Sequence, residues 1–88
     1  MKKRTKLEVI KDILEILKGK REVRITHLIY KANLSNNSIK PYISELIEKG
    51  LIIIKNNDKN KFFIISKKGL EFLEEFYKIK IFTEAYGL

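Results

Sequence analysis

The chain has 88 residues, 44% of them hydrophobic, no cysteine and a formal net charge of +8 at pH 7. Such a length suits one domain with a small core; chains of this size bury only about 60 to 65% of their unfolded surface, so a second subunit is a natural source of further burial. Without cysteine there is no disulfide framework, thiolate chemistry or thiolate zinc site. No apolar run reaches the roughly 18 residues of a membrane span, and Met1-Lys2-Lys3-Arg4 leads into an amphipathic stretch rather than a signal core, so an intracellular, cytoplasmic protein without a membrane partner is expected. The charge is uneven: residues 1–68 hold 17 Lys and Arg against 7 Asp and Glu, a balance of +10, and residues 69–88 hold 2 against 4, a balance of −2. An excess of this kind points to a polyanion, most often nucleic acid, although a lysine-rich solvated surface gives the same count.

Thr5-Lys6-Leu7-Glu8 has the pattern of a capping box and opens a first helix. Leu7, Ile10, Leu14 and Leu17 share one face, Val9, Ile13 and Ile16 widen it, and Gly19 is placed as a left-handed stop. Arg21-Glu22-Val23-Arg24 reads as a short extended link. Ile25, Leu28, Ile29 and Ala32 then fall at helical spacing, with Thr26 expected as the cap and Ile25 and Tyr30 as a hydrophobic staple across it. A turn of about three residues follows, because Ser35 starts a new cap; Ile39, Tyr42, Ile43, Leu46 and Ile47 define a third helix that ends at Gly50.

Leu51-Ile52-Ile53-Ile54 is too short and too β-branched for a helix. With Phe62-Phe63-Ile64-Ile65 it forms a β-hairpin whose tip is the polar run Lys55 to Lys61. Ser66 caps a last helix from about Lys67, apolar on more than one side, with residues 81–88 continuing or fraying it. The expected fold is therefore mainly α with a β-hairpin (α+β), in the order helix-helix-helix-hairpin-helix, as one domain over residues 1–88. Two helices joined by a tight turn, the second followed by a hairpin, is the layout of a winged helix-turn-helix.

The segment "RITHLIYKANLSNNSIKPYISELIEKGL" from Arg24 to Leu51, with "FIISKKGLEFLEEF" from Phe63 to Phe76, resembles the small winged-helix DNA-binding proteins of archaea and their viruses. The likeness covers most of the chain and is carried by "YKANLS" running into a helix that ends "EKGLI", and by Ser-x-x-Gly at the start of the last helix. It implies a homodimer whose last helices pair and whose third helices enter the major groove of double-stranded DNA, acting in transcription regulation or chromosome architecture. Pro41 departs from that pattern, where a charged residue is more usual.

In this layout the amino-terminal residues of the third helix reach base edges. Asn36 and Asn37 suit that task, since an asparagine amide both donates to and accepts from adenine, at roughly 1–3 kcal/mol for a good bidentate pair. Ser35 and Ser38 stand beside them, Ser35 more as a cap, and Lys40 one turn on reaches guanine or phosphate. The alternative is a capped helix start facing solvent. Pro41 removes a helical N–H, so either the first turn tilts, the favoured expectation, or the helix proper begins nearer Ser38. Lys55, Asn56, Asn57, Lys59, Asn60 and Lys61 at the hairpin tip are candidate phosphate contacts, or an ordinary solvated turn. Lys2, Lys3, Arg4, Arg21 and Arg24 are weaker candidates for backbone contact.

Phe72, Leu73, Phe76, Tyr77 and Ile79 on the last helix, residues 66–88, exceed the apolar area one small domain covers and are the expected dimer interface. No enzyme is expected: His27 is the single histidine, the carboxylates do not converge, and no Gly-rich phosphate loop is present, so neither metal, cofactor nor small-molecule ligand is implied. Three functions fit: a site-specific regulator, an architectural, nucleoid-associated DNA protein with little sequence preference, and a winged helix used to bind another protein.

Overall fold

The computed structural model describes residues 3–88 and places six elements in the order α1 (Lys6–Gly19), α2 (Ile25–Ala32), α3 (Asn36–Glu48), β1 (Ile52–Asn57), β2 (Asn60–Ile65) and α4 (Lys67–Ala85). The capping box forms as its sequence dictates: the Thr5 hydroxyl accepts from the Glu8 N–H at 3.1 Å and the Glu8 carboxylate accepts from the Thr5 N–H at 3.0 Å. Val9, Ile13, Leu14 and Leu17 of α1 are buried against Leu28, Ala32, Ile39, Ile43, Leu46, Ile52, Phe63 and Leu73, so one apolar centre draws on every element.

Several local details differ from expectation. Gly19 ends α1 without a left-handed turn; Lys20 is the cap, extended at φ −133°, because the chain runs straight into a strand-like link. That link is held by Val23, whose N–H donates to the Phe63 carbonyl at 3.0 Å and whose carbonyl accepts from the Phe63 N–H at 2.7 Å. Extended at Val23, the chain enters α2 two residues before the start expected from a Thr26 cap. Arg24 is the cap, with no side-chain hydrogen bond, Thr26 lies inside the helix, and Tyr30 is 81% exposed instead of stapling the start. The hairpin is longer and tighter than its apolar residues suggest. Pairing runs from Ile52 and Ile65 to Asn57 and Asn60, leaving a turn of Asp58 and Lys59 in which Asp58 takes the left-handed φ of 55° that a short polar side chain tolerates. Of the two expectations for residues 81–88, continuation of the last helix holds as far as Ala85.

Two ties hold α3 in place. At its start, Arg4 reaches over the turn between α2 and α3: its guanidinium donates to the Ala32 carbonyl at 2.7 Å, to the Asn33 carbonyl at 3.2 Å and to Asp12 of α1 at 2.8 Å. At its end, Gly50 takes φ 78°, with the Gly50 N–H on the Ile47 carbonyl (3.0 Å) and the Leu51 N–H on the Leu46 carbonyl (2.8 Å), a Schellman closure. Ser66 then joins this closure to α4. Its hydroxyl donates to the Gly50 carbonyl at 2.6 Å and accepts from the Gly69 N–H at 3.0 Å, and its N–H donates to the Leu51 carbonyl at 3.1 Å. A Cβ on Gly69 would lie 2.5 Å from the Leu51 carbonyl oxygen, so the close approach of α4 requires glycine there.

Alanine at position 69 gains at most about 1 kcal/mol of helix propensity, whereas forcing backbone apart in a packed region takes about 1–3 kcal/mol or more. Gly69→Ala is therefore expected to destabilise the fold by about 1–2 kcal/mol, read as a lowered urea midpoint; a raised midpoint would contradict the close approach.

Burial opposes ionisation of Asp12, but hydrogen bonds from Lys11 and Arg4 and their charges outweigh it and hold its carboxyl below the usual range. A carboxyl lowered on folding stabilises the fold above its unfolded value near pH 4 and loses that contribution as the pH falls through the folded value. Asp12→Asn is expected to cost about 1 kcal/mol at pH 7 and less near pH 2; an equal deficit at both pH values would remove charge from the tie.

Candidate nucleic-acid interface

A thirteen-residue helix with its core residues at Ile39, Ile43 and Leu46 has an opposite stripe left for solvent. On α3 that stripe is Asn37, Lys40, Pro41, Ser44 and Glu48, all exposed. Asn36 and Ser38 are exposed at its start. The serines are engaged locally: the Ser35 hydroxyl accepts from the Ser38 N–H at 3.0 Å and donates to the Ser38 hydroxyl at 2.8 Å. Ser35 and Ser38 thus build the cap, while Asn36, Asn37 and Lys40 stand clear of it. The helix begins at Asn36, not nearer Ser38, because the Ile39 N–H already closes on the Ser35 carbonyl at 3.0 Å. Pro41 consequently sits in the sixth position of a continuous helix.

Strand alternation divides the hairpin residues between two faces. Asn56 and Lys61 oppose one another on the face of Ile54 and Phe63, toward α3. Here a groove of about 400 Å³ runs between α3 and the hairpin, with Ile43, Ile47, Ile54 and Phe63 as its floor and Lys40, Ser44 and Lys61 along its rim. On the other face, Lys55 pairs with Glu22 at 2.7 Å, and Asn60 accepts a hydrogen bond from Arg24, whose guanidinium lies 6.0 Å from the centre of the Phe62 ring. Asn57 opposes Asn60, and Lys59 occupies the turn. The Lys55 pair is largely exposed, a class of interaction worth about 0–1 kcal/mol, so it lends Lys55 little rigidity.

Of the weaker candidates, Arg4 is committed to the turn and Lys2 lies outside the described residues. Lys20, Arg21, Arg24 and Lys31 gather with His27 between the end of α1, the link and α2. Loss of hydration and the positive charges of Lys20 and Lys31 lower the His27 pKa. Among the described residues no three His, Cys, Asp or Glu side chains converge as metal ligands, and no helix is long and apolar enough to cross a membrane.

The expected interface residues of α4 divide as well. Leu73 is 1% exposed in the subunit's own core, and the Tyr77 hydroxyl donates to Glu15 of α1, which pushes its pKa up. Phe72, Phe76 and Ile79 face the other way and line an apolar groove of about 340 Å³ with Leu7, Glu75, Lys80 and Thr83. Ser44 was not singled out from the sequence, yet it lies two turns on from Asn37; the helical period from that asparagine is the signal that finds it.

A winged helix-turn-helix family model matches residues 3–84. No curated protein matches the chain. Among solved structures, the fold is similar to Sso10a-2, a DNA-binding protein from Sulfolobus solfataricus, at 28% identity and a TM-score of 0.77 over 96% of this chain and 90% of that one. With two helices joined by a three-residue turn, a paired hairpin beside the second of them and a family match over nearly its whole length, the chain belongs to the winged helix-turn-helix family.

Proposed function

We propose that the protein binds double-stranded DNA sequence-specifically as a homodimeric transcription regulator, with α3 in the major groove and the hairpin on the phosphate backbone. The observation that carries this reading is the outward stripe of α3. Asn37, Lys40, Pro41 and Ser44 are spared by the core, and Lys40 and Ser44 stand across an open groove from Lys61. Asparagine supplies a two-way amide for base edges, and lysines supply charge for phosphate. The similar Sulfolobus protein is a DNA-binding protein, which supports the same substrate. An architectural role with little sequence preference is favoured by one feature: the outward stripe holds no arginine, the side chain that most often makes specific base contacts.

Dimerisation is assigned to α4. Phe72, Phe76, Ile79, Thr83 and Tyr86 recur at spacings of 4, 3, 4 and 3 residues, the seam of a coiled coil. Ile79, Phe82 and Tyr86 are each more than 60% exposed in one subunit, an apolar surface that a second copy paired along this seam covers. Residues 66–88 would then serve both as part of the single domain and as its pairing arm.

Selection of randomised duplexes at about 0.15 M salt, where charge contacts weaken steeply, separates the readings. A two-fold symmetric motif is expected; DNA recovered without a motif selects the architectural role, and no retained DNA rejects both.

On a fixed duplex, Lys59→Ala with Lys61→Ala is expected to flatten the slope of log affinity against log salt by about 2. Lys55→Ala should flatten it by less than 1, since Glu22 already offsets its charge. Equal effects from all three lysines would argue against the division of the hairpin into two faces.

Light scattering at micromolar concentration is expected to give twice the 10.4 kDa chain mass, and Ile79→Glu to return it to one. A single-chain mass for the unaltered protein removes the dimer from the proposal.

A further inference from the structure

Pro41 is the only proline of the chain, and it stands where proline is least suited, the sixth residue of a thirteen-residue helix. There it lacks the N–H that would bond the Asn37 carbonyl, and its ring presses on that same carbonyl. Packing offers nothing in return. Pro41 is exposed, while Ile39, Ile43 and Leu46 make the contacts of α3 with the core. A proline inside a helix on an exposed surface, kept where alanine would serve the fold better, points to use of the surface. The location is specific: Pro41 lies between Asn37 and Ser44 on the outward stripe, so the carbonyl left without its i+4 N–H donor belongs to a residue of that stripe.

We propose that the backbone carbonyl of Asn37, released from the helix ladder by Pro41, reads a base by accepting a hydrogen bond from an exocyclic amino group in the major groove. Those groups are N6 of adenine and N4 of cytosine; guanine and thymine present the O6 and O4 acceptors at the corresponding edge and would repel the carbonyl. A side-chain amide does not make this distinction firmly, because it both donates and accepts. A backbone carbonyl only accepts. It is also fixed by the helix, so no rotamer change relieves a mismatch. Lys40, one residue before the proline, only donates; the pair places an acceptor-only and a donor-only group side by side. The inference rests on the placement of α3 in the major groove proposed above.

The test runs the randomised-duplex selection in parallel on the unaltered protein, Pro41→Ala and Pro41→Val, with circular dichroism to verify that all three are folded. Both variants restore the N–H that recaptures the Asn37 carbonyl, and valine retains apolar bulk in place of the ring. The unaltered protein is expected to show one position restricted to adenine or cytosine; in both variants that position alone relaxes by about tenfold, the lower part of the range for one good base contact, while the thermal midpoint rises. Replacing that base by its amino-free analogue, purine or pyrimidin-2-one, should weaken the unaltered protein by the same factor and leave the variants unchanged. Identical motifs in all three proteins overturn the proposal, as does relaxation in alanine but not valine, which assigns the effect to the ring. Loss spread evenly over every position also overturns it, and makes Pro41 a determinant of helix shape. DNA retained without any motif overturns base reading while DNA binding stands, and no retained DNA overturns the underlying reading of α3.

Discussion

The Ser66 hydroxyl, held between the Gly50 carbonyl and the Gly69 N–H, is the junction on which the arrangement of this fold depends. One side chain ends α3, begins α4 and, with its own N–H on the Leu51 carbonyl, fixes where the chain enters β1. Three elements meeting at one residue would ordinarily be kept apart by the bulk of their side chains. Gly69 removes that obstacle, and the backbones approach to a distance no Cβ would permit. Arg4 acts similarly at the other end of α3, through two carbonyls of the turn and one carboxylate of α1. A helix held at both termini by hydrogen bonds can leave the whole of one side unpacked, and α3 does so.

That division of labour follows from the magnitudes involved. Burying an aliphatic side chain contributes about 1.5–3 kcal/mol, so Ile39, Ile43 and Leu46 suffice, with the two ties, to dock α3. The outward residues are then released from any structural duty. A polar stripe that contributes nothing to stability is free to be selected for contact with something else, and the same freedom permits a proline where a helix would otherwise exclude it. The ion pairs of the surface have little part in this balance: those between Lys6 and Glu45 and between Lys78 and Glu75 are solvent-exposed and weak.

Much of this was legible in the sequence because the determinants are local. A capping box, a serine cap at Ser35, a serine three residues before Gly69 and a glycine at position 50 are complete instructions within four residues, and each forms as written. What escaped the sequence depends on partners distant along the chain. Val23 pairs with Phe63, forty residues on, and this bridge, invisible in the link itself, advances the start of α2 and leaves Thr26 and Tyr30 without the roles assigned to them. In sequence the hairpin reads as apolar strands with a polar tip because β-propensity ends at Ile54; cross-strand hydrogen bonds do not need apolar side chains, and the ladder runs on through three polar residues. Likewise the polar residues of the tip look equivalent in sequence. Only the pairing register, with its alternation of faces, sets Lys61 beside α3 and Lys55 beside Glu22.

For α4 the sequence showed too much apolar surface but not where the excess lay. Leu73 and Tyr77 are absorbed by α1, and beyond Tyr77 the helix extends with Thr83 as its one sheltered residue up to Ala85. The helix is about 28 Å long at 1.5 Å per residue, and its first turn is bonded to the carboxyl end of α3 through Ser66. In the dimer proposed above, built on the outer half of α4, the orientation of one α3 relative to its copy would be set by helix geometry, and so would the spacing between two bound sites on DNA. A regulator that reads paired half-sites needs such a fixed spacing; a protein that coats DNA without regard to sequence does not.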